Sequence, residues 1–192
     1  AVQYSKACCT TPAAIVGEYT LKGTWTELNG IKTCKWLLDL NSLPLVDTYG
    51  ILPDSADMRV PSSNNKMSLV TYATKAIVHV YDLFGYCPQT FQGADILATQ
   101  GKEPYLVFLP DFIGPERAGK HEWFLPGADK TPLQDLLKVI TSESMMALIS
   151  DTVSALRSDK KYEHVERWAG VGFCWGSKGV SLITAKGDKS LF

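Results

Sequence analysis

The residues of this chain best suited to chemistry form a Gly-x-Cys-x-Gly segment, Gly172 to Gly176, with Cys174 at its centre. A strand-like apolar run precedes the segment and a helical pattern follows it. Glycines at these positions allow a strained strand-to-helix turn that lifts the central side chain. The adjoining helix N-terminus favours thiolate, the nucleophilic form of cysteine. We therefore predict that Cys174 is a nucleophile; the alternative is a buried structural cysteine at a tight turn.

The segments around this turn predict an α/β fold. Buried strands are expected at 76–81, 105–109 and 168–173, and helices at 90–100, 132–158 and 177–185. Continuously apolar strands separated by helices indicate a mostly parallel sheet with helices on both faces. Thr90 and Thr131 are the expected N-caps. The longest helical region is either one helix or two helices that break near Thr141-Ser142.

The N-terminal part predicts a β-hairpin followed by an irregular segment. Alternating runs at 24–28 and 31–36 flank Asn29-Gly30, a turn signal because both turn residues need positive φ. Residues 37–69 have no steady period and contain three prolines. We therefore expect one domain, 1–192, with an irregular insertion at about 37–69 that is foreign to the fold.

Composition and charge narrow the class of protein. The chain has 192 residues, a formal net charge of −1 and 45% hydrophobic residues, which suits one globular domain. It shows no basic surface pattern, membrane span or signal peptide, and its five cysteines have no metal-binding spacing. We expect a cytoplasmic protein with reduced thiols, no cofactor and no metal, and no nucleic-acid or membrane partner.

Three motifs occur in the order found in dienelactone hydrolases, and the chain resembles the fungal-type branch of that family. The motifs are Val80 to Gly85, Leu109 to Asp111, and Gly172 to Gly176. The resemblance implies an α/β-hydrolase fold that opens a carboxylic ester or lactone through a cysteine acyl-enzyme.

The resemblance also implies roles for single residues. Cys174 matches the nucleophile, and Asp82 matches an acidic residue that contacts the resting cysteine and helps to form its thiolate. Leu83 and Trp175 match the residues whose backbone N–H groups form an oxyanion hole. Asp82 follows a strand, where α/β sites are built; the alternative is a solvated residue that caps the next turn.

Aromatic residues on loops near the nucleophile suit a small apolar or aromatic acyl group. Phe84, Tyr86 and Trp123 are predicted to bind the substrate, with Phe124 and Trp175 as further candidates. The alternative is that these rings pack the core.

The sequence departs from the family pattern after the nucleophile. In the family, the triad Asp and His follow the nucleophile at a distance, whereas the three histidines of this sequence, His79, His121 and His164, all precede Cys174. We therefore expect a fold that is incomplete at the C-terminus. Exposed strand edges and apolar helix faces would then favour a homo-oligomer.

Two functions of different classes follow. The first is an esterase or lactonase that acts on a small molecule. The second is a truncated, catalytically impaired hydrolase that acts as a binding protein or is a non-functional remnant, since the members of a triad act as a unit. A redox-sensing thiol protein is a third candidate, because a reactive exposed cysteine is also a target of oxidation.

Overall fold

The computed structural model describes residues 19–36, 59–60, 68–69, 73–99, 103, 105–186 and 192. The strands in this part of the chain are β1 (Thr24–Leu28), β2 (Ile31–Trp36), β3 (Arg59–Val60), β4 (Ser68–Leu69), β5 (Lys75–Val80), β6 (Leu106–Pro110) and β7 (Arg167–Gly172). The α-helices are α1 (Pro88–Thr99), α2 (Thr131–Val139), α3 (Ser142–Ser158) and α4 (Trp175–Ala185), and short 3-10 helices cover His121–Phe124 and Lys160–Tyr162.

The predicted N-terminal hairpin is confirmed. Strands β1 and β2 pair antiparallel, with Leu28 opposite Ile31. The two turn residues, Asn29 and Gly30, have φ values of 49° and 75°. A two-residue turn with positive φ at both positions matches the twist of the strands that it joins, which is why Asn-Gly favours it.

A five-stranded mixed sheet carries the site, in the order β1-β2-β6-β5-β7. The prediction of a mostly parallel sheet is not confirmed, because two of the four strand pairings, β1 with β2 and β2 with β6, are antiparallel. The hairpin causes this difference, because its second strand, β2, pairs antiparallel with β6 at the edge of the parallel strands. Strands β6, β5 and β7 are parallel, so their carboxyl ends meet at one edge of the sheet.

The helices differ from the prediction at their ends. Helix α1 begins at Pro88 rather than after Thr90, because proline suits the first turn of a helix, where its missing N–H is not needed. The predicted break before α3 is confirmed: the Thr141 hydroxyl accepts a hydrogen bond of 3.2 Å from the Ser144 N–H as an N-cap. Thr131 is the first residue of α2 and not its cap.

Within the irregular segment, the described residues form one pair of short strands. Strands β3 and β4 pair antiparallel, with Arg59 opposite Leu69. The rest of the predicted insertion at 37–69 lies outside the described residues, and so do Cys8 and Cys9.

The parallel strands form the centre of the core. The side chains of Val78, Val80 and Phe108 are fully buried, and each such side chain contributes about 1.5–3 kcal/mol through the removal of apolar surface from water. Helix α4 lies close to α3, because a Cβ atom on Gly179 would be only 2.7 Å from Cδ1 of Ile149. The same helix begins directly against the end of β5.

This contact between α4 and β5 gives the first testable prediction. A Cβ atom on Gly176 would be 2.3 Å from the carbonyl oxygen of Val80, and backbone cannot move aside as a flexible side chain can. We expect Gly176→Ala to lower the free energy of unfolding by about 2–3 kcal/mol, a typical cost of overpacking.

The matched control is Gly93→Ala in helix α1. Its added Cβ would meet the His79 ring at 3.8 Å, an ordinary contact, and alanine stabilises a helix interior by about 0.5–1 kcal/mol relative to glycine. Urea unfolding should therefore show opposite shifts for the two variants. Equal effects would contradict the tight packing of α4 against β5.

Candidate active site

The structure gives Cys174 an unusual backbone conformation. Its φ is 50° and its ψ is −112°, a combination that side chains with a Cβ rarely adopt and that costs on the order of 1–3 kcal/mol. Cys174 lies between the end of β7 and the first residue of α4, and it is exposed. This is the strained turn that the Gly-x-Cys-x-Gly pattern predicts.

The two flanking glycines allow this turn because each lies against backbone. A Cβ on Gly172 would be 2.5 Å from the backbone of Gly176. Gly176 in turn lies directly on the carbonyl of Val80. Side chains at either position would force β7, α4 and β5 apart. The spacing of the motif therefore has a steric cause in this fold.

Hydrogen bonds hold the turn on both sides of the cysteine. The Phe173 N–H donates to the Val80 carbonyl at 3.1 Å, which extends the pairing of β5 with β7 by one residue. The carbonyl of Cys174 accepts from the Ser177 hydroxyl at 2.7 Å and from the Lys178 N–H at 3.2 Å. These bonds fix the main chain of Cys174 while its side chain stays exposed.

The backbone that follows the cysteine offers a donor for an anion. Trp175 is the first residue of α4, which has 11 residues. An N–H at this position has no acceptor within its own helix and lies at the positive end of the helix dipole. The Trp175 indole is used differently: it is buried, and its Nε1–H donates to the Ile140 carbonyl at 3.4 Å.

Asp82 lies at the same sheet edge as the cysteine. Val80 pairs with Gly172, and Asp82 and Cys174 each follow their strand partner by two residues. Neighbouring strands lie about 5 Å apart, so the register brings the two turns that follow these strands side by side. Asp82 is half-buried, and burial raises the pKa of its carboxyl group, against the lowering effect of a 2.9 Å hydrogen bond from the Phe84 N–H.

Tyr81 and Asp111 join the loops that follow β5 and β6, a role that the sequence analysis missed. The Tyr81 hydroxyl donates to Asp111 Oδ1 at 2.6 Å and accepts from the Ile113 N–H at 2.7 Å. Burial, and then the bond to Asp111, raise the pKa of Tyr81, which keeps its proton. The signal was available, because Tyr81 and Asp111 both belong to the motifs that carry the family resemblance.

Leu83 lies in the turn after Asp82 and is half-buried. Its carbonyl accepts a 2.7 Å hydrogen bond from the Gly119 N–H, and a Cβ on Gly119 would be 3.1 Å from the same oxygen. The loop after β6 therefore braces the residue for which the family resemblance implies a role in the oxyanion hole.

The three predicted substrate-binding aromatic residues lie in different surroundings. The Phe84 ring is 5.4 Å from that of Phe124. The Tyr86 hydroxyl donates to the Leu109 carbonyl at 2.6 Å, with the Lys32 carbonyl at 3.2 Å. Its ring packs against the rings of Trp25, Tyr81 and Phe91. These contacts account for Tyr86 without a ligand.

Trp123 lines a separate pocket of about 350 Å³ with Arg117, Pro132 and Leu136. This pocket does not include Phe84, Tyr86 or the turn at Cys174. The structure therefore does not bring the three predicted aromatic residues together in one pocket.

The histidines have distinct environments. His79 lies on β5 and is only 1% exposed. His121 is exposed in the first 3-10 helix, and His164 precedes the amino end of β7, opposite to the edge that carries Cys174. Burial lowers the pKa of His79 to about 4, which makes it a weak base.

No group of three or more His, Cys, Asp or Glu side chains in the described part of the chain could hold a metal ion. None of the described helices has the length and apolar character that a bilayer span requires.

A strained strand-to-helix turn at the carboxyl edge of an α/β sheet is typical of the α/β-hydrolase fold. The family model described as "Dienelactone hydrolase family" matches residues 67–191, and the chain belongs to this family. The match starts at the end of the irregular segment and contains the three motifs named above. Searches of curated proteins and of solved structures found no match.

His79 gives the second testable prediction, a dependence of stability on pH. Its pKa is about 4 in the folded chain and 6.5 in the unfolded chain, so the unfolded state binds more protons between these values. Stability should fall as the pH drops from about 6.5 to 4, by about 3 kcal/mol in total. We expect His79→Leu to remove this loss, because leucine does not titrate.

The measurement is urea unfolding of both proteins at pH 7 and pH 4.5. Asp82, whose pKa is raised by burial, contributes with the opposite sign in both proteins, so the difference between them isolates His79. If the free energy of unfolding changed equally in both proteins between pH 7 and pH 4.5, His79 would not be buried in its neutral form.

Proposed function

We propose that this chain hydrolyses carboxylic esters or lactones of small molecules through an acyl-thioester on Cys174. The observation that carries the proposal is the strained backbone of Cys174, held at φ 50° and ψ −112° at the start of α4. A structural cysteine would gain nothing from this conformation. An exposed sulfur at a helix N-terminus is suited to attack on a carbonyl carbon.

In the first step the Cys174 thiolate attacks the carbonyl carbon of the ester. The sulfur–carbon bond forms, and the π electrons of the carbonyl move to its oxygen. The N–H groups of Trp175 and Leu83 are proposed to stabilise this oxyanion, because donors fixed before the reaction need no reorganisation. The intermediate then expels the alcohol oxygen with its electron pair and leaves a thioester.

Asp82 is proposed to help form the thiolate. Its carboxyl group has a raised pKa, and a carboxylate with a raised pKa is a stronger base toward a neighbouring thiol. The pairing of Val80 with Gly172 supports this role, since it brings the two loops side by side. In the second step water attacks the thioester carbon, the acid is released and the thiol is restored.

The substrate-binding region is proposed to include Phe84 with its neighbour Phe124. Phe84 lies in the turn after Asp82, and Phe124 lies in the first 3-10 helix. Their ring centroids are 5.4 Å apart, and the two rings are tilted by 54°. An apolar or aromatic acyl or alcohol group would contact such a surface. Trp123 is a second candidate that lies in a separate pocket, whereas Tyr86 is better explained by packing and by its hydrogen bonds to backbone carbonyls.

The third testable prediction concerns the nucleophile. Wild-type protein should release p-nitrophenolate from p-nitrophenyl acetate, and Cys174→Ala should abolish this release. Cys87→Ala is the matched control, because Cys87 is a half-buried thiol near the same sheet edge, and it should retain the activity. Peptide mapping after an acid quench should find the acetyl group on Cys174.

Two results would overturn the proposal: the same rate in Cys174→Ala as in wild type, or an acetyl group located on another residue. A burst without turnover would still support the acyl-enzyme step. It would show that deacylation lacks a general base in this chain, as the second function in the sequence analysis expects.

The fourth prediction concerns Asp82→Asn. Asparagine can still accept the hydrogen bond from the Phe84 N–H, so the turn should keep its geometry. Without the carboxylate, acylation by p-nitrophenyl acetate should slow at neutral pH by about tenfold or more. The alkylation rate of Cys174 by iodoacetamide should fall in parallel, because both reactions need the thiolate. Slower acylation with an unchanged alkylation rate would assign Asp82 a different role.

A further inference from the structure

A second pocket adjoins the turn at Cys174. It has a volume of about 220 Å³ and lies between the carboxyl half of β5 and the start of α1. Phe173, the residue before the nucleophile, and Asp82 both line it. The pocket therefore reaches the residue next to the nucleophile, so the chain of an acyl group on Cys174 could extend toward it.

His79 borders this pocket and has no role in the fold that explains its polarity. It is 1% exposed, and neither Nδ1 nor Nε2 has a hydrogen-bond partner in the described part of the chain. Leaving a buried polar group without a partner destabilises the fold, and an apolar residue at this strand position would avoid that cost. A retained buried imidazole without a partner indicates a ligand that supplies one.

Two neighbours make the imidazole reachable. Gly93 of α1 has no side chain, and its position would hold a Cβ 3.8 Å from Cε1 of His79, so the helix leaves space beside the ring. The Phe173 ring packs edge-on against His79, with 5.3 Å between centroids, and is itself 54% exposed. Rotation of this exposed ring would uncover the imidazole without disturbing the core.

The groups around the pocket define the chemistry that it would accept. Burial lowers the pKa of His79 to about 4, so at neutral pH the ring offers one N–H donor and one acceptor nitrogen. The Asp82 carboxyl also lines the pocket and disfavours an anion. The Cys87 thiol and the Thr90 hydroxyl are 3.0 Å apart and engage each other, and Thr90 also donates to the Gly85 carbonyl. A hydroxyl group both donates and accepts a hydrogen bond, so it matches the two ring nitrogens of His79, which have no partner in the described part of the chain.

We propose that this pocket is an acyl subsite, in which His79 selects substrates whose acyl chain carries a small uncharged hydroxyl group close to the scissile carbonyl. The inference rests on the proposed function, because the acyl chain is held there by its bond to Cys174. His79 is a specificity-determining residue in this account, and Phe173 turns aside to admit the hydroxyl group.

The test uses two esters that differ in one group. p-Nitrophenyl 3-hydroxybutyrate and p-nitrophenyl 3-methylbutyrate have acyl chains of similar shape, with a hydroxyl in place of a methyl. We expect wild-type protein to prefer the hydroxy ester over the methyl ester by about three- to tenfold more than His79→Leu does, which is the effect of one hydrogen bond on the rate of acylation. p-Nitrophenyl acetate, which does not reach the pocket, should acylate both proteins equally.

Gly93→Ala tests the shape of the pocket in a variant that is expected to fold. The added methyl group narrows the space beside His79. It should slow acylation by both four-carbon-chain esters relative to acetate.

The outcomes separate the two proposals. Acylation of Cys174 by all three esters, with the same hydroxy-to-methyl ratio in wild type and His79→Leu, would overturn the subsite and leave the proposed function intact. No acylation of Cys174 by any ester would overturn both.

Discussion

The main-chain conformation of Cys174 is the constraint on which the rest of this structure depends. A φ of 50° with a ψ of −112° is unfavourable for any residue with a Cβ. It persists because β7, β5 and α4 meet within the same few ångströms. Gly172 and Gly176 permit the approach, the carbonyl of Val80 anchors Phe173, and the N-terminus of α4 holds the Cys174 carbonyl. The packed core compensates for the strain, and the turn leaves Cys174 exposed.

The parallel part of the sheet determines what surrounds that sulfur. Because β5, β6 and β7 run in one direction, the loops that follow them share an edge. The Tyr81–Asp111 hydrogen bond and the contact of Gly119 with the Leu83 carbonyl fasten two of these loops together. These contacts hold the edge that carries the candidate oxyanion donors and Asp82. The pocket beside His79 lies between this edge and α1.

Much of this architecture could be predicted from local sequence patterns. Asn29-Gly30 requires positive φ, and the continuous apolar runs at β5, β6 and β7 indicate buried strands, so the hairpin and the parallel core followed directly. The antiparallel pairing of β2 with β6 did not, because no local pattern states which strand a hairpin joins. The start of α1 was missed because Thr90 looks like a cap while its hydroxyl bonds instead to Gly85.

For the candidate site, the sequence predicted the turn at Cys174 but not the side chains around it. The glycine spacing around Cys174 identified the turn, since the approach of Gly172 to Gly176 is local. The scatter of the predicted aromatic residues was not foreseeable, because it depends on tertiary contacts such as the bonds of the Tyr86 hydroxyl to strands far along the chain. The orphaned imidazole of His79 likewise became visible only when its partners could be sought in three dimensions.

The most direct test of the central claim is a comparison of Cys174→Gly with Cys174→Ala by urea unfolding. Alanine keeps the Cβ and therefore the strain, whereas glycine relieves it. The account predicts that the glycine variant is more stable than the alanine variant, by about 1–3 kcal/mol. At an unstrained position glycine is less stable than alanine by about 0.5–1 kcal/mol. That ordinary ranking at Cys174 would contradict the strained turn and the nucleophile that depends on it.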